Sequence, residues 1–334
     1  MSHVYITNNG SVLGIDGGRF VIKQKDNLMT SIPKETVESI SVFGNSTITT
    51  RCMQELLAGN IPVCFFSSRG RYFGRLESTD GSKITQMKKQ FAVFEDEEYT
   101  LELARKIAMA KISNQITVLR RYMGDKKELF NRQIDVMKQL KVKASNGMTN
   151  PEIMGYEGNA ARIYFEVLSN VIRPEFKFYG RNRRPPKDPF NSLISLGYTL
   201  LLYEIVSKLQ IQGLNPYLGF LHKPRDGSPS LASDMMEEWR AVIVDSVVMS
   251  MIQGNEISFD DFDCDDDNVG VYIHNDAMKK FIDKFEKKLT GKMKYLTYDN
   301  NEYTFREAMS IQCHKLAESI NANDAGVYMS VMIR

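Results

Sequence analysis

Side chains that can hold a metal or move a proton crowd into residues 215–245, NPYLGFLHKPRDGSPSLASDMMEEWRAVIVD. This stretch contains His222, one of four histidines in the chain, followed by Asp234, Glu237, Glu238 and Asp245, with Lys223, Arg225 and Arg240 interleaved. Ser230 has the chemistry of a helix N-cap, because a hydroxyl can accept an orphan N–H at a helix start. On a helix running from there at about 100° per residue, Asp234, Glu237, Glu238 and Asp245 share a face with Ala241, opposite Met235, Met236, Trp239, Val242 and Ile243. The turn-rich HKPRDGSP segment can fold back over that helix. Taken alone, such a face reads as solvated charge.

A second segment changes that reading. In residues 150–172, NPEIMGYEGNAARIYFEVLSNVI, a helix places Glu157 with Ala160, Ala161, Tyr164 and Leu168, the small and apolar face. A carboxylate buried there is costly unless it is paired, protonated or metal-bound. Gly158, Ala160 and Ala161 keep its surroundings thin, so that a second element is expected to approach closely. Glu157, His222 and an acid from the 234–237 pair make a set of one histidine and two carboxylates, suited to a hard divalent cation, Mg²⁺ or Mn²⁺, more than to zinc. With no cation bound, the carboxylates are expected to repel one another.

GYEGNAARIYF, RNRRPPKDPFNSLISLGYTLL and GFLHKPRDGSPSLASDMMEEWR, in that order, resemble the three signature blocks of the CRISPR-associated adaptation endonuclease/integrase family ("Cas one"). The resemblance covers nearly the whole chain. It implies metal ligands at Glu157, His222 and Glu237, an additional acid of the motif at Asp234, and a β-rich N-terminal domain that packs as a homodimer. It also implies an enzyme that inserts short DNA fragments into a repeat array together with a small companion adaptation protein ("Cas two").

The elements that must position these residues follow from periodicity. Residues 1 to about 75 read as short strands, HVYIT, SVLGID, RFVIKQ, LMTSIP and VESISVF, separated by NNG, DGG and KDN turns. A helix, TTRCMQELLAG, and the strands IPVCFFSS and RYFGRL follow, giving at minimum a small sheet with one helix. The polar residues 78–85 read as a linker. From there helical patterns dominate, including a long amphipathic helix through Leu101, Ala104, Ala108, Ile112 and Leu119 that DKKELFNRQIDVMKQL continues. The expected fold is α+β: a β-rich dimerisation domain over 1–77, a linker over 78–95, and an all-α catalytic domain over 96–334.

The segment 173–191, RPEFKFYGRNRRPPKDPFN, alternates Arg173, Lys177, Arg181, Arg183, Arg184 and Lys187 with Phe176, Phe178 and Tyr179. Basic residues among aromatics suit a phosphate backbone and exposed bases, and equally suit a solvated loop held by prolines. With Lys223, Arg225 and Arg240, the residues Arg181, Arg183 and Arg184 form the expected nucleic-acid-binding set. FDDFDCDDDN, residues 259–268, fails as an EF-hand, because Asp266 stands at the turn glycine and Tyr272 at the bidentate Glu; it reads as a solvated acidic loop. His274 and His314 show no acidic partner at ligand spacing.

A net charge of +2 over 334 residues leaves no global basic signature, so any surface for double-stranded DNA must be local or assembled from several subunits. Four scattered cysteines without CxxC pairing, and no signal peptide, point to a reducing cytoplasm. No apolar run is expected to reach the roughly 18 residues of a membrane span. Two rivals to integration stand beside it: a metal-dependent nuclease or resolvase on branched DNA or RNA, and a non-catalytic DNA scaffold whose acids are structural.

Overall fold

In this computed structural model the chain divides into two units, Met1–Ser82 and Lys83–Arg334. All residues are described except 1, 26, 80–82, 184, 266–269 and 334, and only the backbone of Cys264 and Asp265 is described. Arg184 and Asp266 therefore lie outside the described residues.

The first unit holds two four-stranded sheets where one was the minimal expectation. One sheet has the order β1 (Ser2–Ile6), β5 (Val37–Phe43), β7 (Val63–Phe66), β8 (Tyr72–Leu76); the other has the order β4 (Asn27–Pro33), β3 (Arg19–Gln24), β2 (Ser11–Asp16), β6 (Thr47–Ile48). The β2–β3 hairpin turns through Gly17 and Gly18, at φ 53° and 76°, the double left-handed conformation that a two-residue turn between twisted strands demands. Helix α1 (Thr50–Ala58) starts where the Thr49 hydroxyl accepts the Cys52 N–H at 3.3 Å. Leu13, Phe20, Ile40, Val42 and Val63, the inward half of each period-2 pattern, form a core with Leu56 of α1.

The second unit is helical. Residues expected to be linker fold as α2 (Ile84–Phe94), and α3 (Glu97–Tyr122) follows. The helical pattern does not run on as expected: Gly124 at φ 49° breaks it, two 3₁₀ turns intervene, and α4 spans Asn131–Ser145. α5 (Asn150–Val171) packs against both α3 and α4. α6 (Pro189–Ile211) begins where Asp188 accepts the Asn191 N–H at 2.8 Å. By length and composition α6 is apolar enough to cross a bilayer, contrary to the sequence expectation. Most of it is buried in the core, with Leu193, Ile194 and Leu201 fully covered, and a core helix apolar all round passes the same test.

α7 (Ser230–Glu237) leads through a π turn (Ala241–Asp245) into α8 (Ser246–Gln253). Ser230 is the first helical residue and not a cap: its hydroxyl donates to the Lys223 and Ser228 carbonyls, at 3.2 and 3.3 Å. In the acidic tract β9 (Phe262–Asp265) pairs with β10 (Gly270–Ile273). α9 (Asn275–Thr290), the β11–β12 pair (Lys292–Met293 with Tyr303–Thr304) and α10 (Phe305–Ala322) complete the unit. Both histidines set aside have acidic partners, His274 in Asp263 at 2.7 Å and His314 in Glu318 at 3.4 Å.

α6 meets the π turn at Gly197, where a Cβ would overlap Val244 and lie 3.0 Å from the Phe281 ring. Gly197→Ala should therefore cost about 1–3 kcal/mol of unfolding free energy through overpacking. Urea denaturation measures it, and an unchanged midpoint would show that the crossing relaxes freely.

Candidate active site

Asp234 has no exposed surface and spends its whole carboxylate on the loop before it. Its Oδ2 accepts the N–H groups of Phe220 (2.6 Å) and Leu221 (2.9 Å). Its Oδ1 accepts the N–H of His222 (3.0 Å) and lies 2.6 Å from His222 Nδ1. The network assigns a proton to Nδ1, so that in the neutral ring Nε2 carries the lone pair, 3.9 Å from Glu237 Oε1. Burial pulls the His222 pKa down, but the hydrogen bond and charge of Asp234 and the charge of Glu237 outweigh it, and the net shift is upward. Asp234 is thus the residue that orients the imidazole and the loop carrying it.

Glu157 on α5 and Glu237 at the end of α7 are both buried, and between them stands the Lys111 ammonium of α3. Lys111 Nζ contacts Glu157 Oε1 and lies 2.7 Å from Glu237 Oε2. Both contacts pair the buried ammonium with a carboxylate oxygen. Arg240 Nη2 reaches the same Glu237 oxygen at 2.9 Å. Burial would raise the Glu237 pKa, but Arg240, Lys111 and His222 hold it down at about 2. The two carboxylates do not face each other bare, as the sequence implied. A lysine separates them.

Arg240, expected in the DNA-binding set, faces the carboxylates. It is buried, pairs with Glu237 and stacks over the Tyr198 ring at 5.3 Å, so it belongs to the wall of the site. Arg181 covers the same ring at 5.3 Å and donates to Asn191, whose amide also holds the Gly180 carbonyl (2.9 Å). The Tyr198 and Tyr164 hydroxyls both donate to Asp245, each at 2.7 Å, tying α5 and α6 to the π turn. Burial raises the Asp245 pKa against the opposing pull of these hydroxyls and the arginines. Asp234, Glu237, Glu238 and Asp245 are all buried, because the helix that carries them runs through the core.

Glu157, His222 and Glu237 line one pocket of about 370 Å³, whose wall continues through Gly158, Arg181 and Arg183. Gly158 does not serve close packing: nothing lies within 4 Å of where its Cβ would be, and its missing side chain leaves the pocket open. Lys223 and Arg225 are exposed on the loop that ends at α7. Of the four aromatics in the basic segment only Tyr179 is exposed; Phe176, Phe178 and Phe190 are buried, and Phe178 stacks on Phe190 at 3.9 Å. Phe176 and Phe178 anchor the loop and do not offer surfaces to bases.

Among the described residues, no three His, Cys, Asp or Glu side chains converge tightly enough to hold a metal as they stand. The donor chemistry nonetheless fits a hard divalent cation. Two carboxyl groups and an imidazole face one pocket, and the space between the carboxyl groups already holds positive charge. Lys111 was missed in the sequence, although it sits on the apolar face of α3, three residues after Ala108, where a charge demands a partner.

Glu238, next to the site, is no solvated bystander. It is fully buried, accepts from the Tyr328 hydroxyl, from Val331 N–H (2.8 Å) and from Gln312 (3.2 Å), and burial pushes its carboxyl up to about 8. The folded protein therefore binds a proton there that the unfolded chain releases above about pH 4.5. That contribution to stability is full at acid pH and lost as pH rises through about 8. Glu238→Gln, neutral at every pH, should flatten the decline. Urea midpoints in EDTA at pH 5 and pH 8.5 test this, and an equal decline in variant and wild type would contradict it.

The family model for CRISPR associated protein Cas1 matches residues 4–287. The CRISPR-associated endonuclease Cas1 of Mycobacterium tuberculosis is 31% identical over 322 residues, 96% of this chain and 95% of that protein. Among solved structures, a chain of a Cas6-RT-Cas1--Cas2 complex matches with a TM-score of 0.86 at 24% identity. That match covers 98% of this chain and 36% of the longer one. A casposase bound to an integration product matches with a TM-score of 0.82 at 24% identity, over 97% of this chain and 92% of that one. Both structures share the fold.

Proposed function

This chain belongs to the Cas1 family of CRISPR-associated endonucleases, and we propose that it inserts short DNA fragments into a repeat array at the Glu157–His222–Glu237 pocket. The reaction is attack of a DNA 3′-hydroxyl on a phosphodiester. The observation that carries this reading is the placement of two buried carboxylates and an oriented imidazole on one pocket walled by Arg181 and Arg183. Mg²⁺ or Mn²⁺ held by Glu157, His222 and Glu237 would polarise the phosphate and lower the pKa of the attacking hydroxyl.

The chain's own residues do the rest. Asp234 fixes the imidazole so that Nε2 points to the reacting side. Arg240 keeps Glu237 ionised. Gly158 leaves room for a sugar–phosphate backbone, while Arg183, with exposed Lys223 and Arg225, supplies phosphate contacts outside the carboxylates. Arg184 joins this set by sequence alone. Self-association through the first unit, through residues 1–75, is supported by exposed Leu28 and Met29 on the edge strand β4 and by Phe73 on β8. The small companion protein Cas2 is the fitting partner, as in the complex that shares this fold. A cytoplasmic location suits an enzyme that acts on the chromosome.

Glu157→Gln and His222→Ala should abolish cation-dependent joining of a short duplex to a supercoiled repeat plasmid, and should keep most of the DNA affinity. Products longer than the substrate mark integration; shortened strands alone would favour the nuclease reading, and full joining by Glu157→Gln would sink the site. Arg183→Ala should lower the log–log salt dependence of DNA binding by about 0.9 per lost duplex phosphate contact. An unchanged slope would remove the loop from the DNA surface.

A further inference from the structure

Two lysines of α3 differ in what holds them: Lys106 has backbone carbonyls besides its Glu102 partner, whereas Lys111 is paired with two carboxylates. The Lys106 ammonium donates to the backbone carbonyls of Ala325 (2.5 Å) and Tyr328 (3.0 Å), the fixed bonds of a structural tie. The Lys111 ammonium, 3% exposed, is held by ion pairs with the side-chain carboxylates of Glu157 and Glu237. Charge keeps it there, and a stronger charge can replace it. The space it fills lies between the two carboxylates that a divalent cation would share. A monovalent and a divalent cation a few ångströms apart in a poorly solvated pocket repel each other by many times the thermal energy. Both cannot sit between the same carboxylates.

We propose that Lys111 is a displaceable resident cation. It holds Glu157 and Glu237 together and charge-balanced in the metal-free protein, and its side chain swings out into the adjoining pocket when a divalent cation enters. The inference rests on the metal-holding reading of the site. The geometry provides the exit. Lys111 itself lines the 370 Å³ pocket, and the flank at Gly158 is open. A lysine stem has four rotatable bonds, so its ammonium can leave the carboxylates while its Cα stays on α3. Arg240, which stacks on Tyr198, stays on Glu237 through the exchange. Displacement also delivers a positive charge to the space where a substrate phosphate must lie, so Lys111 acts as a positioning residue for both states.

The test measures Mn²⁺ binding to the DNA-free full chain, by the loss of the free-ion EPR signal. Lys111→Met removes the competitor and should bind Mn²⁺ at least about tenfold more tightly than wild type. Lys111→Arg keeps a resident charge and should bind no more tightly than wild type. In EDTA the Met variant should melt lower than wild type, and it should gain more from Mn²⁺. A second readout uses wild type alone and survives a variant that fails to fold: reductive methylation of Lys111, followed by mass spectrometry, should be faster in Mn²⁺ than in EDTA. Equal or weaker Mn²⁺ binding by folded Lys111→Met, or methylation that does not accelerate, overturns this inference and leaves the active-site reading standing. No Mn²⁺ binding by either wild type or Lys111→Met overturns both.

Discussion

Like charge at close range is the constraint that governs this site. Glu157 and Glu237 are brought from two helices into one poorly solvated place, where they would separate or take up protons without a cation between them. Lys111 from a third helix supplies that cation, and Arg240 adds a second charge on Glu237. Helices α3, α5 and α7 are therefore joined at one point by charge as well as by apolar packing. A buried pair of this kind contributes little net stability, because desolvation offsets attraction. Its value is that it keeps two carboxylates close together, which is the condition a divalent cation needs.

The residues behind the pocket hold this arrangement in register. Asp234 ties the His222 loop to α7 through three backbone N–H groups and the imidazole. Asp245 ties α5 and α6 to the π turn through two tyrosine hydroxyls, so Tyr164 carries the position of Glu157 and Tyr198 carries the stacking surface of both arginines. π turns recur at functional sites, and here the turn lies directly after Arg240. Acids of one type thus do three jobs. Glu157 and Glu237 face the pocket, while Asp234 and Asp245 orient what faces it. Glu238, buried behind them, fastens the C-terminal segment through Tyr328 and Val331.

Local patterns in the sequence carried the strands of the first unit, the major helices and the pairing of Glu157 with the 222–237 segment, because each depends on periodicity or on a burial conflict visible in one stretch. What was not legible depends on long-range partners. Arg240 reads like a surface arginine until Glu237 and Tyr198 enclose it, and Phe176 and Phe178 read like base platforms until Phe190 covers one of them. The acids of residues 234–245 look solvated because helix periodicity says which residues share a face, not whether that face meets water. Lys111 is the instructive miss. Its place on the apolar face of α3 was visible, and Glu157 had already posed the matching question of what neutralises it.

Anomalous scattering from crystals of the protein grown with Mn²⁺ tests the central claim most directly. The account predicts one strong peak bounded by Glu157, His222 Nε2 and Glu237, with the Lys111 ammonium withdrawn from between the carboxylates. A structure with Mn²⁺ bound elsewhere, in the acidic tract of residues 259–268 for example, and with Lys111 still bridging Glu157 and Glu237, would contradict it.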